Sequence, residues 1–176
     1  MACAFPKGDV TELTWELADL SLNPPSVSDE KKIVVVGNKG CGKSSFLRSF
    51  LTDGLDQEYD DSEICRKSRL RSITFLELPS SDSCLDIRSR AYPGSLGVLL
   101  CFAINDRRSF LDIPKWHREA MRFIPCAEMF LVGCKMDTRV ESGPVGREEG
   151  KDMSRFVRAI RYYELSSGNE YRVAEI

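Results

Sequence analysis

The chain has 176 residues, of which 42% are hydrophobic and 30% charged, and its formal net charge is −2. That size and balance suit one soluble globular domain with a single core, and the near-neutral charge gives no reason to expect nucleic acid as the main partner. Seven scattered cysteines without a C-x-x-C pair, and a single histidine, argue against a disulfide scaffold, a histidine-based metal centre and a Ser-His-Asp triad.

Residues 1–30 read as an N-terminal extension and linker. Within them, residues 11–22 place Leu13, Leu17 and Leu20 on one helical face, and Asn23-Pro24-Pro25 stops any helix. The segment reads either as a frayed acidic tail or as a short helix that docks on the domain or on a partner. There is no secretory pattern, and the longest apolar run, residues 96–104, is far shorter than a membrane span.

From Lys31 onward, strands and helices alternate. Residues 31–36 read as a buried parallel strand and 45–51 as a helix with Gly54 as its C-cap, followed by an acidic loop over 53–63. Residues 69–78 are a strand candidate, and Asp82 caps a short helix ending near Ala91. Residues 97–104 are a strand. Residues 109–124 are a helix in which Pro114 must sit early or cause a kink. A strand over 128–133, a helix over 147–160, a strand over 162–165 and the start of a further helix at 171–176 complete the pattern. This alternation predicts an α/β fold of three layers, with a mainly parallel, roughly six-stranded sheet and helices on both faces.

Two motifs carry the chemistry. Residues 37–44 read Gly-Asn-Lys-Gly-Cys-Gly-Lys-Ser, which fits G-x-x-x-x-G-K-[ST] between a strand and a helix. In such a loop, consecutive backbone N–H groups turn inward around phosphate oxygens, the lysine reaches the β and γ phosphates, and the serine offers its hydroxyl to Mg²⁺. The predicted phosphate set is Gly37, Gly40, Cys41, Gly42, Lys43, Ser44 and Ser45. The second motif is Lys135-Met136-Asp137, which follows a buried strand about ninety residues downstream. A carboxylate there accepts two hydrogen bonds from the guanine N1–H and 2-amino group, an arrangement adenine does not offer.

With both motifs in place, the chain resembles the small GTPases of the Ras superfamily, and the Rho branch most closely, over about residues 31–176. The branch-specific pieces are Ser89-Arg90-Ala91-Tyr92-Pro93, Cys101-Phe102-Ala103-Ile104, Asp112-Ile113-Pro114-Lys115-Trp116, Leu131-Val132-Gly133 and Arg147-Glu148-Glu149-Gly150-Lys151-Asp152-Met153. The resemblance implies GTP/GDP and Mg²⁺ as ligands. It places Lys135, Asp137, Ser166 and Ser167 at guanine, and Ser44 and Ser62 on the metal. It also implies a cytoplasmic, monomeric protein that meets effectors or regulators through its switch surfaces. With no C-a-a-X box, no lipid anchor is expected.

The departures from the family are concentrated at the chemistry. Lys39 stands where the phosphate loop normally has glycine. Glu77, Leu78, Pro79, Ser80 and Ser81 align with the second switch, Asp-x-x-Gly-Gln, so no side chain is left to orient the attacking water. Cys134 replaces the asparagine that bonds guanine, and Ser166-Ser167-Gly168 replaces Ser-Ala-Lys. Together the lost contacts amount to about 3–5 kcal/mol of nucleotide affinity. The characteristic insert after the Lys-x-Asp strand is absent, the first hairpin is trimmed and the last helix is shortened. The expectation is therefore an atypical, Rho-like GTP-binding switch or adaptor with no assigned catalytic residue and little or no hydrolysis. The alternative is a pseudo-GTPase interaction module that binds no nucleotide.

Overall fold

The computed structural model describes residues 31–51, 66–70, 73–139, 143–166 and 172–175. In chain order these form β1 (Lys31–Gly37), α1 (Lys43–Leu51), β2 (Arg66–Leu70), β3 (Ile73–Glu77), α2 (Leu85–Ala91), β4 (Ser95–Ala103), α3 (Arg107–Leu111), α4 (Ile113–Phe123), β5 (Glu128–Cys134), α5 (Arg147–Phe156), β6 (Arg161–Ser166) and β7 (Arg172–Glu175). The helix expected over 11–22 and the acidic loop at 53–63 lie outside the described residues, as do Gly54, Ser62 and Ser167.

The strands form one sheet in the order β2-β3-β1-β4-β5-β6-β7. The central pairs β3–β1, β1–β4, β4–β5 and β5–β6 are parallel. Both outer pairs, β2–β3 and β6–β7, are antiparallel. A parallel interior arises because each central strand is buried on both faces. Ile33 and Val35 of β1 point into one apolar cluster with Phe46 and Leu47 of α1. Val34 and Val36 point into the other, with Phe110, Ile113 and Trp116 of α3 and α4. Such strands read as near-continuous apolar runs rather than alternating ones, which is the pattern of β1, β4 and β5.

Five expectations need correcting. The described residues hold seven strands, not about six. The helix expected at 171–176, and with it the shortened last helix of the domain, is instead β7. That segment pairs with β6 through Leu165↔Val173 and Glu164↔Ala174, so backbone pairing at the sheet edge outweighs helical propensity. The strand expected over 69–78 divides into the hairpin of β2 and β3, and the helix expected over 109–124 divides at Asp112 into α3 and α4. Pro114 lies in the first turn of α4, where a missing N–H costs nothing. Lastly, Asp82 does not cap the segment before α2. Ser81 holds that position with no capping bond from its side chain, and the Asp82 carboxylate pairs with Lys115 at 2.6 Å.

Candidate nucleotide site

The carboxyl ends of β3, β1, β5 and β6 share one rim of the sheet, the position where open α/β sheets carry their ligands. The phosphate loop leaves β1 at Gly37, whose φ of +148° and contact with the β4 backbone exclude any side chain. A Cβ there would run into the Cys101 carbonyl. Gly42, at φ +116°, is equally constrained, because its Cβ would come within 2.8 Å of the Cys134 Cβ. The loop closes with Cys41 N–H donating to Asn38 O at 3.3 Å, and Phe46 N–H to Gly42 O at 2.8 Å starts the bonding of α1.

Lys43 opens α1 and is buried, with 5% of its surface exposed. Its ammonium donates to Gly37 O at 2.9 Å, to Asn38 O at 3.0 Å and to Ser80 Oγ at 2.9 Å. An ammonium has three N–H donors, so all of them are engaged. Ser80 Oγ in turn donates to Gly37 O at 2.8 Å. Beside it, Ser44 Oγ donates to Glu77 Oε1 at 2.7 Å, while Glu77 Oε2 is buried without a hydrogen-bond partner. An oriented hydroxyl next to a carboxylate oxygen in need of a partner is a hard-oxygen pair that fits Mg²⁺. Ser44 and Glu77 would hold the ion, which when bound would neutralise phosphate charge. Among the described residues no cluster of three or more His, Cys, Asp or Glu could hold a metal.

The loop is braced from behind. Asn38 Nδ2 donates to Asp112 Oδ2 at 2.7 Å, and Trp116 Nε1 donates to Asn38 Oδ1 at 2.8 Å. The Arg88 guanidinium lies 5.1 Å from the centre of the Trp116 ring and grips Glu119 through two bonds of 2.6 and 2.8 Å. Its remaining nitrogen donates to Pro79 O at 3.1 Å and Ser81 O at 2.5 Å. The segment after β3 is thus pinned through the carbonyls on either side of Ser80. Ser81 is exposed, and its hydroxyl shares a 2.7 Å bond with Ser83.

On the base side, Lys135 follows β5 in the left-handed conformation, at φ +62°. Asp137 is exposed, and its Oδ1 accepts from Ser166 Oγ, buried at the end of β6, at 2.6 Å. Glu164 lies fully buried beneath, accepting from Tyr162 Oη at 2.7 Å and paired with Arg139 and Arg147. Cys134 lies against Gly42 of the loop, and its carbonyl accepts from Ile104 N–H at 2.9 Å. Burial pushes the Cys41 thiol up to about 12, and Cys101 is raised by its bond with Cys134 and by burial. These thiols stay protonated, so Cys41 is a spectator in the loop.

Of the predicted residues, Gly37, Gly40, Cys41, Gly42, Lys43, Ser44 and Ser45 lie together on the loop and the start of α1, and Lys135, Asp137 and Ser166 lie together two strands away. Sequence reasoning missed the bracing role of Asn38 and the contacts of Ser80 and Arg88. The Asp112-Ile113-Pro114-Lys115-Trp116 stretch was the one signal pointing toward that brace.

The family model described as Ras family matches residues 80–176. Rho-related GTP-binding protein RhoE from Homo sapiens and from Mus musculus is 30% identical over 174 residues, covering 86% of this chain and 70% of the relative. The form from Sus scrofa is 29% identical over the same coverage. The family match begins after β3, so the phosphate loop enters the comparison through these longer alignments. Taken with a phosphate loop at the exit of β1 and a Lys-x-Asp turn at the exit of β5, these likenesses establish that the chain belongs to the Ras superfamily of small GTP-binding proteins, on its Rho branch.

Proposed function

We propose that this protein binds guanine nucleotide with Mg²⁺ and works in the cytoplasm as a signalling switch or adaptor, through contacts with effector or regulatory proteins, with little or no hydrolysis of its own. The observation that carries the reading is the pairing, on one sheet rim, of a glycine loop around a buried lysine with a carboxylate held in place by Ser166. The loop that would take phosphate and the carboxylate that would take guanine lie two strands apart on one sheet, which supports the reading. Weak hydrolysis follows from the segment after β3. Ser81 is short and bonded to Ser83, and Pro79 and the Arg88 grip stiffen the loop that would have to close on a third phosphate.

Extraction of nucleotide from freshly purified protein, followed by chromatography, tests the reading, together with calorimetry against GDP and Mg²⁺. Co-purifying guanine nucleotide, or heat saturating at one equivalent, is the expected result. Absence of both at millimolar ligand would refute it. The rival reading, a pseudo-GTPase module indifferent to nucleotide, leaves the Ser166 hold on Asp137 and the orphan Glu77 oxygen without a ligand to serve.

A further inference from the structure

We propose that Ser80 sets phosphate selectivity at this site, filling the place of a third phosphate at Lys43 so that the site takes guanosine diphosphate in preference to triphosphate. The inference rests on the reading of the site as a guanine-nucleotide site and adds the form of nucleotide it holds.

The direction of the ligand follows from the sheet order. Asp137 sits at the exit of β5, the phosphate loop at the exit of β1, and Ser80 just past the exit of β3. A nucleotide with its base at Asp137 runs across β4 to the loop. Its innermost phosphates meet the loop amides and its outermost phosphate points on toward β3. A diphosphate ends at the loop, whereas a triphosphate continues into Ser80.

What a third phosphate meets there is already satisfied. Ser80 Oγ accepts from Lys43 Nζ at 2.9 Å, and the other two donors of that ammonium are held by Gly37 O and Asn38 O. The hydroxyl's own proton goes to Gly37 O at 2.8 Å, so Ser80 presents lone pairs rather than a donor to an incoming anion. To admit the phosphate it must give up both bonds. Its neighbours resist that movement. Pro79 restricts the backbone before it, and the carbonyls of Pro79 and Ser81 are both fixed by Arg88, whose guanidinium is buried against Glu119 and Trp116.

The test uses the full chain stripped of nucleotide, titrated with GDP and with a non-hydrolysable GTP analogue in Mg²⁺. The wild type and the Ser80→Ala, Ser80→Gly and Ser80→Thr variants are compared. We expect the wild type to favour the diphosphate by about tenfold or more, the worth of a charge-assisted hydrogen bond. Ser80→Ala and Ser80→Gly should narrow that ratio about tenfold by tightening the triphosphate analogue. Ser80→Thr, which keeps the hydroxyl, should stay near the wild-type ratio. Equal wild-type affinities, or a ratio unmoved by either deletion of the hydroxyl, would overturn the role of Ser80 while leaving the guanine site standing. A wild type that binds neither nucleotide would overturn both.

Discussion

The indole N–H of Trp116 donates to Asn38 Oδ1 at 2.8 Å, while its ring carries the Arg88 guanidinium 5.1 Å from the ring centre. One side chain of α4 therefore steadies the phosphate loop with its polar edge and the segment after β3 with its face. Trp116→Phe keeps much of the apolar body and loses the donor. We expect a loss of about 1–3 kcal/mol in stability by urea denaturation, with faster amide exchange in residues 37–41. Unchanged loop exchange would show that the brace is not what orders the loop.

Arg88→Met should be far more damaging than a surface change. It leaves Glu119, whose side chain is only 11% exposed, with the Tyr92 hydroxyl but no countercharge, and the Pro79 and Ser81 carbonyls without the Arg88 donor. Removing one partner of a buried pair costs about 3–5 kcal/mol. Pairing Arg88→Met with Glu119→Leu should recover part of that loss, measured as a positive coupling in a double-mutant cycle.

Gly42→Ala adds one methyl where no space exists. The new carbon would lie within 2.8 Å of the Cys134 Cβ, on a backbone at φ +116°. The strain should cost about 2 kcal/mol or more and open the loop. Calorimetry should show guanine nucleotide affinity falling together with the melting temperature. A Gly40→Ala control meets nothing within 4 Å of its Cβ and suffers only the backbone cost of φ +76°, so it should lose less.

Asp137→Ala should weaken GDP binding about a hundredfold, since two hydrogen bonds to a carboxylate are removed. Ser166→Ala leaves the carboxylate but frees it to swing, as the 2.6 Å bond is lost, and should weaken binding less. A competition titration against labelled GDP distinguishes the two. Equal losses would mean that Ser166 itself contacts the base.

His117 gives a pH signature. It is half-buried on α4, and burial, then Arg118 and Arg158, hold its pKa below the ordinary value. The unfolded chain takes up the proton at about pH 6.5, before the folded one does. Stability is therefore complete above that value and falls as pH drops toward the lowered folded pKa. Denaturation midpoints between about pH 7 and 5.5 should decline in the wild type and flatten in His117→Gln. A parallel decline in both proteins would place the titrating group elsewhere.

The legible parts of this chain are those written in local pattern. The apolar run of β1, the glycine loop and the helix after it are contiguous, so one stretch of sequence states the strand, the turn and the anion site together. Asp137 was legible because its motif follows a buried strand. The arrangement around Lys43 was not, because its partners come from distant segments. Ser80 lies 37 residues from the lysine, and Asn38 meets Asp112 and Trp116 across 74 and 78 residues. A serine in a turn carries no periodicity to announce such a contact. β7 was misread for a related reason. Four residues say little about helix against strand, and the decision rests with the open edge of β6.

Among the described residues, antiparallel strands finish the sheet on both sides, with β2 outermost on one and β7 on the other. An outermost strand leaves half its main-chain donors and acceptors facing outward, an invitation to stack with whatever extended peptide drifts by.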